Sequence, residues 1–148
     1  MRTVDEKSLT DQLHLEQQRI DAAIADWRQW WTELKELGKP HFGEMGMRLS
    51  KVLDRLTAHF EHEERTGFLV QITNDAGADP DTPLKLIQEH DELLNELKDL
   101  IHRLQTCCES GFSWGEARRA VDAFLERLRQ HEHEESELTE RGKTFVRH

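Results

Sequence analysis

Two stretches of the chain carry a histidine with a glutamate four residues later: His59 with Glu63, and His131 with Glu135. On a helix, positions i and i+4 lie on one face a turn apart, so each pair presents an imidazole beside a carboxylate. A third histidine, His90, falls on an otherwise leucine-rich stripe. If these side chains point into a core, burying the carboxylates costs several kcal/mol or more unless a cation compensates them. No lysine or arginine lies on those stripes near the same level, so a metal ion is the cation that fits. Mixed imidazole and carboxylate donors suit iron, manganese or zinc, and the absence of thiolate partners removes iron–sulfur and structural-zinc chemistry. A metalloprotease is also removed. His62-Glu63 and His131-Glu132 are followed by Thr66 and Glu135 where His-Glu-x-x-His needs its second histidine. No serine, cysteine or spare carboxylate at that level offers a nucleophile or dedicated base.

These residues need rigid elements to hold them. Breaks at Gly38-Lys39-Pro40, Asn74 to Pro83 and Glu109-Ser110-Gly111 divide the chain into four segments. Thr82-Pro83 reads as an N-cap with proline in the first turn, and Ser113 with Glu116 reads as a capping box. The spacing predicts helices over roughly 8–37, 43–73, 83–109 and 114–141. Each has an apolar stripe at 3/4 spacing, and polar residues interrupt it. On the first helix it runs Leu13, Gln17, Ile20, Ile24, Trp27, Trp31. On the second it passes Leu56, His59, Glu63, Thr66 and Val70, and on the fourth Leu128, His131, Glu135 and Leu138.

A repeat sharpens the pattern. Residues 58–69 line up with 130–141, and 15–24 with 88–97, so His59 matches His131, Glu63 matches Glu135, and His90 matches Gln17. All of these lie about 20 residues from their connecting turns, hence about 30 Å along each helix and at one level. The expected fold is all-α: an up-down antiparallel four-helix bundle built from two similar hairpins, filling residues 1–148 as one domain.

The arrangement resembles the hemerythrin-like (HHE cation-binding) family, on His59-Phe-Glu-His-Glu63, His90-Asp-Glu-Leu93 and His131-Glu-His-Glu-Glu135. The resemblance implies a four-helix bundle holding a non-haem di-iron centre. Glu63 and Glu135 would bridge the irons, and His59, His90 and His131 would be terminal ligands. Members of that family bind oxygen, sense oxygen, redox state or iron, or handle peroxide and nitric oxide. Two departures stand out. The family's first helix offers a histidine where this chain has Gln17; His14 lies a turn earlier and about 60° round the helix. Gln17 and His14 are the two candidates for a ligand from that helix. The oxygen-carrying members also take a second histidine from the third helix, four residues on, where this chain has Leu94. A centre so poor in ligands favours redox chemistry or sensing, with at most weak peroxidase-like activity, over bulk oxygen carriage. His62 and His133 lie off the stripes, as outer partners or surface groups. The competing reading is a metal-free interaction module with a degenerate site.

Composition narrows the partners. Thirty acidic against twenty basic residues give a net charge of −10, which disfavours nucleic acid and anionic membranes. No apolar run is long enough to span a bilayer and no signal-peptide pattern opens the chain. The two cysteines are adjacent, Cys107 and Cys108, so a reducing, cytoplasmic setting is expected. The expected partners are metal ions and dioxygen or peroxide.

Overall fold

The computed structural model describes residues 2–37, 42–106 and 113–146, with side chains over 8–33, 42–106 and 113–143. Cys107-Cys108 and the predicted breaks at Gly38-Lys39-Pro40 and Glu109-Ser110-Gly111 lie outside the described residues. Among the described residues every regular element is helical: α1 (Arg2–Leu37), α2 (Phe42–Arg65), α3 (Phe68–Ala76), α4 (Thr82–Gln105) and α5 (Trp114–Val146). The helices pack antiparallel, α1 on α2, α2 on α4, and α4 on α5, with α3 laid against α5. None of the described helices is long and apolar enough to cross a membrane.

The predicted capping box at the start of α5 forms, Ser113 Oγ accepting from the Glu116 N–H at 3.1 Å. At the start of α4, Pro83 occupies the first turn as expected, but the cap position is Asp81 rather than Thr82. The helices also run past their expected limits, α1 back to Arg2 and α5 on to Val146.

The second helix departs further from expectation. A single helix over 43–73 is expected; instead α2 stops at Arg65 and α3 begins at Phe68. Gly67 lies between them in the left-handed region, φ 75°, a conformation that costs an L side chain about 1–2 kcal/mol and glycine nothing. The break turns the following register. Val70, expected on the inward stripe, is 51% exposed, while Leu69, Ile72 and Ala76 turn inward against Leu86 and Leu138.

Among the described residues the interior therefore has two apolar clusters. The larger one joins α1, α2, α4 and α5 through Ile20, Leu56, Leu93, Leu97, Phe124 and Leu128. Trp31 lies within it, stacked on Trp114 at 4.3 Å between ring centroids. The smaller cluster is the α3 cap. Between the two, in the order Leu56–Glu63 on α2, Leu86–Leu93 on α4 and Leu128–Leu138 on α5, falls one polar layer.

The cap fits α5 closely at Gly142, where a Cβ would come 2.9 Å from Asp75 Cβ and 3.5 Å from its carbonyl carbon. The backbones must separate to admit a methyl group, so Gly142→Ala is expected to destabilise the fold by about 1–3 kcal/mol. Urea denaturation checks this; an unchanged midpoint would mean α3 is not seated as described.

Candidate metal centre

The polar layer consists of His59 and Glu63 from α2, His90 from α4, and His131 and Glu135 from α5, all buried. The helix surface explains why they converge: each lies one or two turns from a buried leucine on the same stripe, so the packing that buries the leucines aims these groups inward. Phe60 forms a floor, its ring parallel to His90 at 3.9 Å, while His131 meets His90 edge-on at 4.7 Å.

Each imidazole is held on its outer nitrogen by a glutamate from the preceding helix of the bundle. His59 Nδ1 lies 2.8 Å from Glu16 of α1, His90 Nδ1 2.9 Å from Glu64 of α2, and His131 Nδ1 2.8 Å from Glu89 of α4. A carboxylate accepts, so Nδ1 carries the proton and the Nε2 lone pair is left facing the interior. There it meets more lone pairs. His131 Nε2 lies 2.7 Å from Glu135 Oε2, at an angle wrong for a hydrogen bond. His90 Nε2 is 3.4 Å from Glu63 and 3.6 Å from Glu135, and His59 Nε2 is 3.8 Å from Glu63. His90 Nε2, His131 Nε2 and Glu63 Oε1 are buried without a hydrogen-bond partner. Acceptors facing acceptors at these distances require a cation between them, either a proton or a metal. Among the described residues no lysine or arginine pairs with Glu63 or Glu135.

The protein's own ionisation responds accordingly. Burial, with Glu135 alongside, pushes the Glu63 carboxyl up to about 11, so it keeps its proton. Burial works on Glu135 in the same direction, but His131, His90 and the Glu63 proton outweigh it and hold that carboxyl well below the usual range. Burial opposes the charging of His131 as well, yet Glu135 and Glu89 raise it overall. The pair thus retains one proton between two acids. The ligand atoms of His90, His131 and Glu135 all lie within 4.8 Å of one another, a spacing that one ion can bridge.

The remaining sequence candidates stand further out. His62 shares the carboxylate of Glu16 with His59, its Nδ1 2.9 Å from Oε2, and burial fails to raise Glu16 against these two imidazoles, which lower it. His14 is exposed and faces Gln18 at 3.3 Å. Gln17 is half-buried and donates to Asp21 Oδ1 at 3.1 Å. His133 is exposed, paired with Glu137 at 3.3 Å. The outer glutamates Glu16, Glu64 and Glu89, and the floor Phe60, were missing from the sequence expectations. A signal was present, because a residue next to a ligand position lies about 100° round the helix, at the seam with the next helix, and Glu16 and Glu89 occupy equivalent places in the repeat.

A family profile described as the hemerythrin HHE cation binding domain matches residues 8–140. Searches among curated proteins and among solved structures return no significant match. Because the matched span takes in every residue of the polar layer and nearly the whole chain, the chain belongs to the hemerythrin HHE cation-binding family.

Proposed function

We propose that the protein is a non-haem iron protein of the sensing or redox-handling kind, with two irons held in the polar layer. Glu63 and Glu135 would bridge the metals, and His59, His90 and His131 would bind through Nε2. The observation that carries this reading is the inward set of unpartnered acceptors, each imidazole fixed from outside by a glutamate. Orientation by an outer carboxylate is the usual way a protein sets the tautomer and aim of a metal-binding histidine. Three nitrogens and two carboxylates without thiolate suit iron, and also manganese or zinc. Iron bound there would supply one-electron redox chemistry and affinity for small ligands. The chain's part is to hold the donors in place, keep the layer dry between two apolar clusters, and give up the Glu63 proton when a cation enters. The number of protein donors is small for two metals, which favours a responsive centre over an oxygen store.

Anaerobic loading with ferrous iron followed by admission of air tests the proposal. The expected result is new near-ultraviolet and visible absorption that scales with bound iron and is absent from the metal-free protein. Iron-independent spectra would leave the bundle as a metal-free interaction module.

A further inference from the structure

In a chain of net charge −10, the seam between α1 and α2 is locally basic. A groove of about 260 Å³ runs along it. From α2 it is lined by Arg48, Lys51 and Arg55, whose i, i+3 and i+7 spacing puts three cations on one ridge. Asp26 of α1 is the one acid in its lining, and Ala22, Ala23, Val52 and Trp27 make the rest of the wall apolar. The groove between α4 and α5 is the reverse, with Glu89, Glu92, Glu96 and Glu134 beside a single arginine, Arg127. Both guanidinium groups of the basic ridge are anchored. Arg48 bonds Glu44 Oε1 through Nε and Nη2, at 3.3 and 3.2 Å, and lies over the Trp30 ring, 4.7 Å from its centroid. Arg55 Nη1 donates to the Arg19 carbonyl oxygen at 3.1 Å. A guanidinium has five N–H donors, so each keeps several to spare. Lys51, between them, is exposed, and among the described residues no carboxylate is bridged to it or to Arg55. On the inner wall Trp27 is buried and its indole N–H has no acceptor. Four cations (Arg19, Arg48, Lys51, Arg55) against two acids (Asp26, Glu44) leave two positive charges in surplus along the seam.

We propose that this groove binds a compact phosphate monoester, its phosphate between Lys51 and Arg55 and its organic body on Ala22, Ala23, Val52 and Trp27. The charge count selects the phosphate. A monoester carries about 1.5–2 negative charges at neutral pH, which matches the surplus, whereas one carboxylate would leave a cation unpaired. Lys51 and Arg55 are one turn apart, close enough to meet on a single dianion. An arginine already held in place loses less freedom when the ligand arrives, and its fork suits phosphate oxygens. The volume lies just below the usual range for small-molecule sites, about 300–1,000 Å³, so the organic body is short. Arg48, Lys51 and Arg55 precede His59 by 11, 8 and 4 residues, which places the groove about 6–17 Å along α2 from the polar layer. The site needs no metal and does not rest on the proposed function.

Calorimetric titration of the full chain with phenyl phosphate at low ionic strength, where surface charges are least screened, tests the assignment. Saturable binding with Kd of about 1 mM or tighter is expected. In protein labelled with nitrogen-15 on tryptophan, the Trp27 indole N–H signal, identified by its loss in Trp27→Phe, should move along the same saturation curve. Inorganic phosphate, which has no body to lie on the apolar wall, should bind several-fold more weakly, about threefold or more. Lys51→Gln with Arg55→Gln, both at exposed positions, should weaken phenyl phosphate at least about tenfold while the melting temperature holds. Lys85→Gln with Lys98→Gln removes equal charge from exposed positions on α4 and should change the affinity by less than about twofold. No saturable binding, a static Trp27 signal, inorganic phosphate as tight as phenyl phosphate, or equal weakening by the two double variants would each overturn the assignment.

Discussion

Glu63→Gln is expected to make the metal-free protein more stable while destroying its hold on metal. In the folded chain Glu63 keeps its proton up to about 11, whereas its ordinary value is 4.5. Between those values folding takes up a proton that the unfolded chain does not bind, so the metal-free fold loses stability as pH rises, by at most about 1.4 kcal/mol per unit. Glutamine has the shape of the protonated acid and carries no such linkage. The gain at neutral pH should be about 1–3 kcal/mol, in line with what neutral replacement of buried charge yields. It should grow between pH 5 and pH 8. Urea denaturation of chelator-treated wild type and variant at those two pH values checks the sign. Metal retention should fall by more than about 100-fold, beyond what loss of an outer partner alone causes. A variant less stable than wild type at pH 8, or one that keeps its metal, would mean Glu63 is not the strained acid described.

His90 separates packing from ligation. It is wholly buried, stacked on Phe60 and edge-on to His131, with one nitrogen held by Glu64 and the other facing both inner carboxylates. His90→Ala leaves a cavity and should cost about 2–5 kcal/mol in the metal-free protein. His90→Phe refills the space against Phe60, and Glu64, whose side chain is about one-third exposed, can turn to water; most of the lost stability should return. Neither variant has a donor at this corner, so both should lose metal by more than about 100-fold. Thermal melting and elemental analysis of the two variants side by side check the split. Metal content restored in His90→Phe would remove His90 from the ligand set.

Much of this was legible in the sequence, for physical reasons that differ by feature. Leucine, isoleucine and tryptophan at 3/4 spacing dictate buried helix faces, and the 58–69 and 130–141 repeat puts two His/Glu pairs at one level. The break at Gly67 was not legible, because one glycine in a helical pattern is tolerated at a cost of about 1 kcal/mol. Its left-handed conformation depends on α3 seating against α5, a contact with Gly142 some 75 residues away. The outer glutamates were hidden by abundance. In a chain that is 34% charged, the repeat that pairs Glu16 with Glu89 is one coincidence among many acidic residues, and the role of Glu16, Glu64 and Glu89 shows only when the neighbouring helix brings a histidine to each. Gln17 and His14 could not be told apart on spacing alone, since what fixes them is a partner: Asp21 for the amide, Gln18 for the imidazole.

Everything argued for the centre depends on a cation relieving the lone pairs that face one another among His90, His131, Glu63 and Glu135. The melting temperature of protein stripped by a chelator, measured again after ferrous iron is added anaerobically to about 100 times its dissociation constant, tests that most directly. A ligand that binds only the folded state adds about 2.7 kcal/mol under those conditions, so melting should rise by about 5–10 °C. Identical melting curves with and without iron, manganese or zinc would contradict the account.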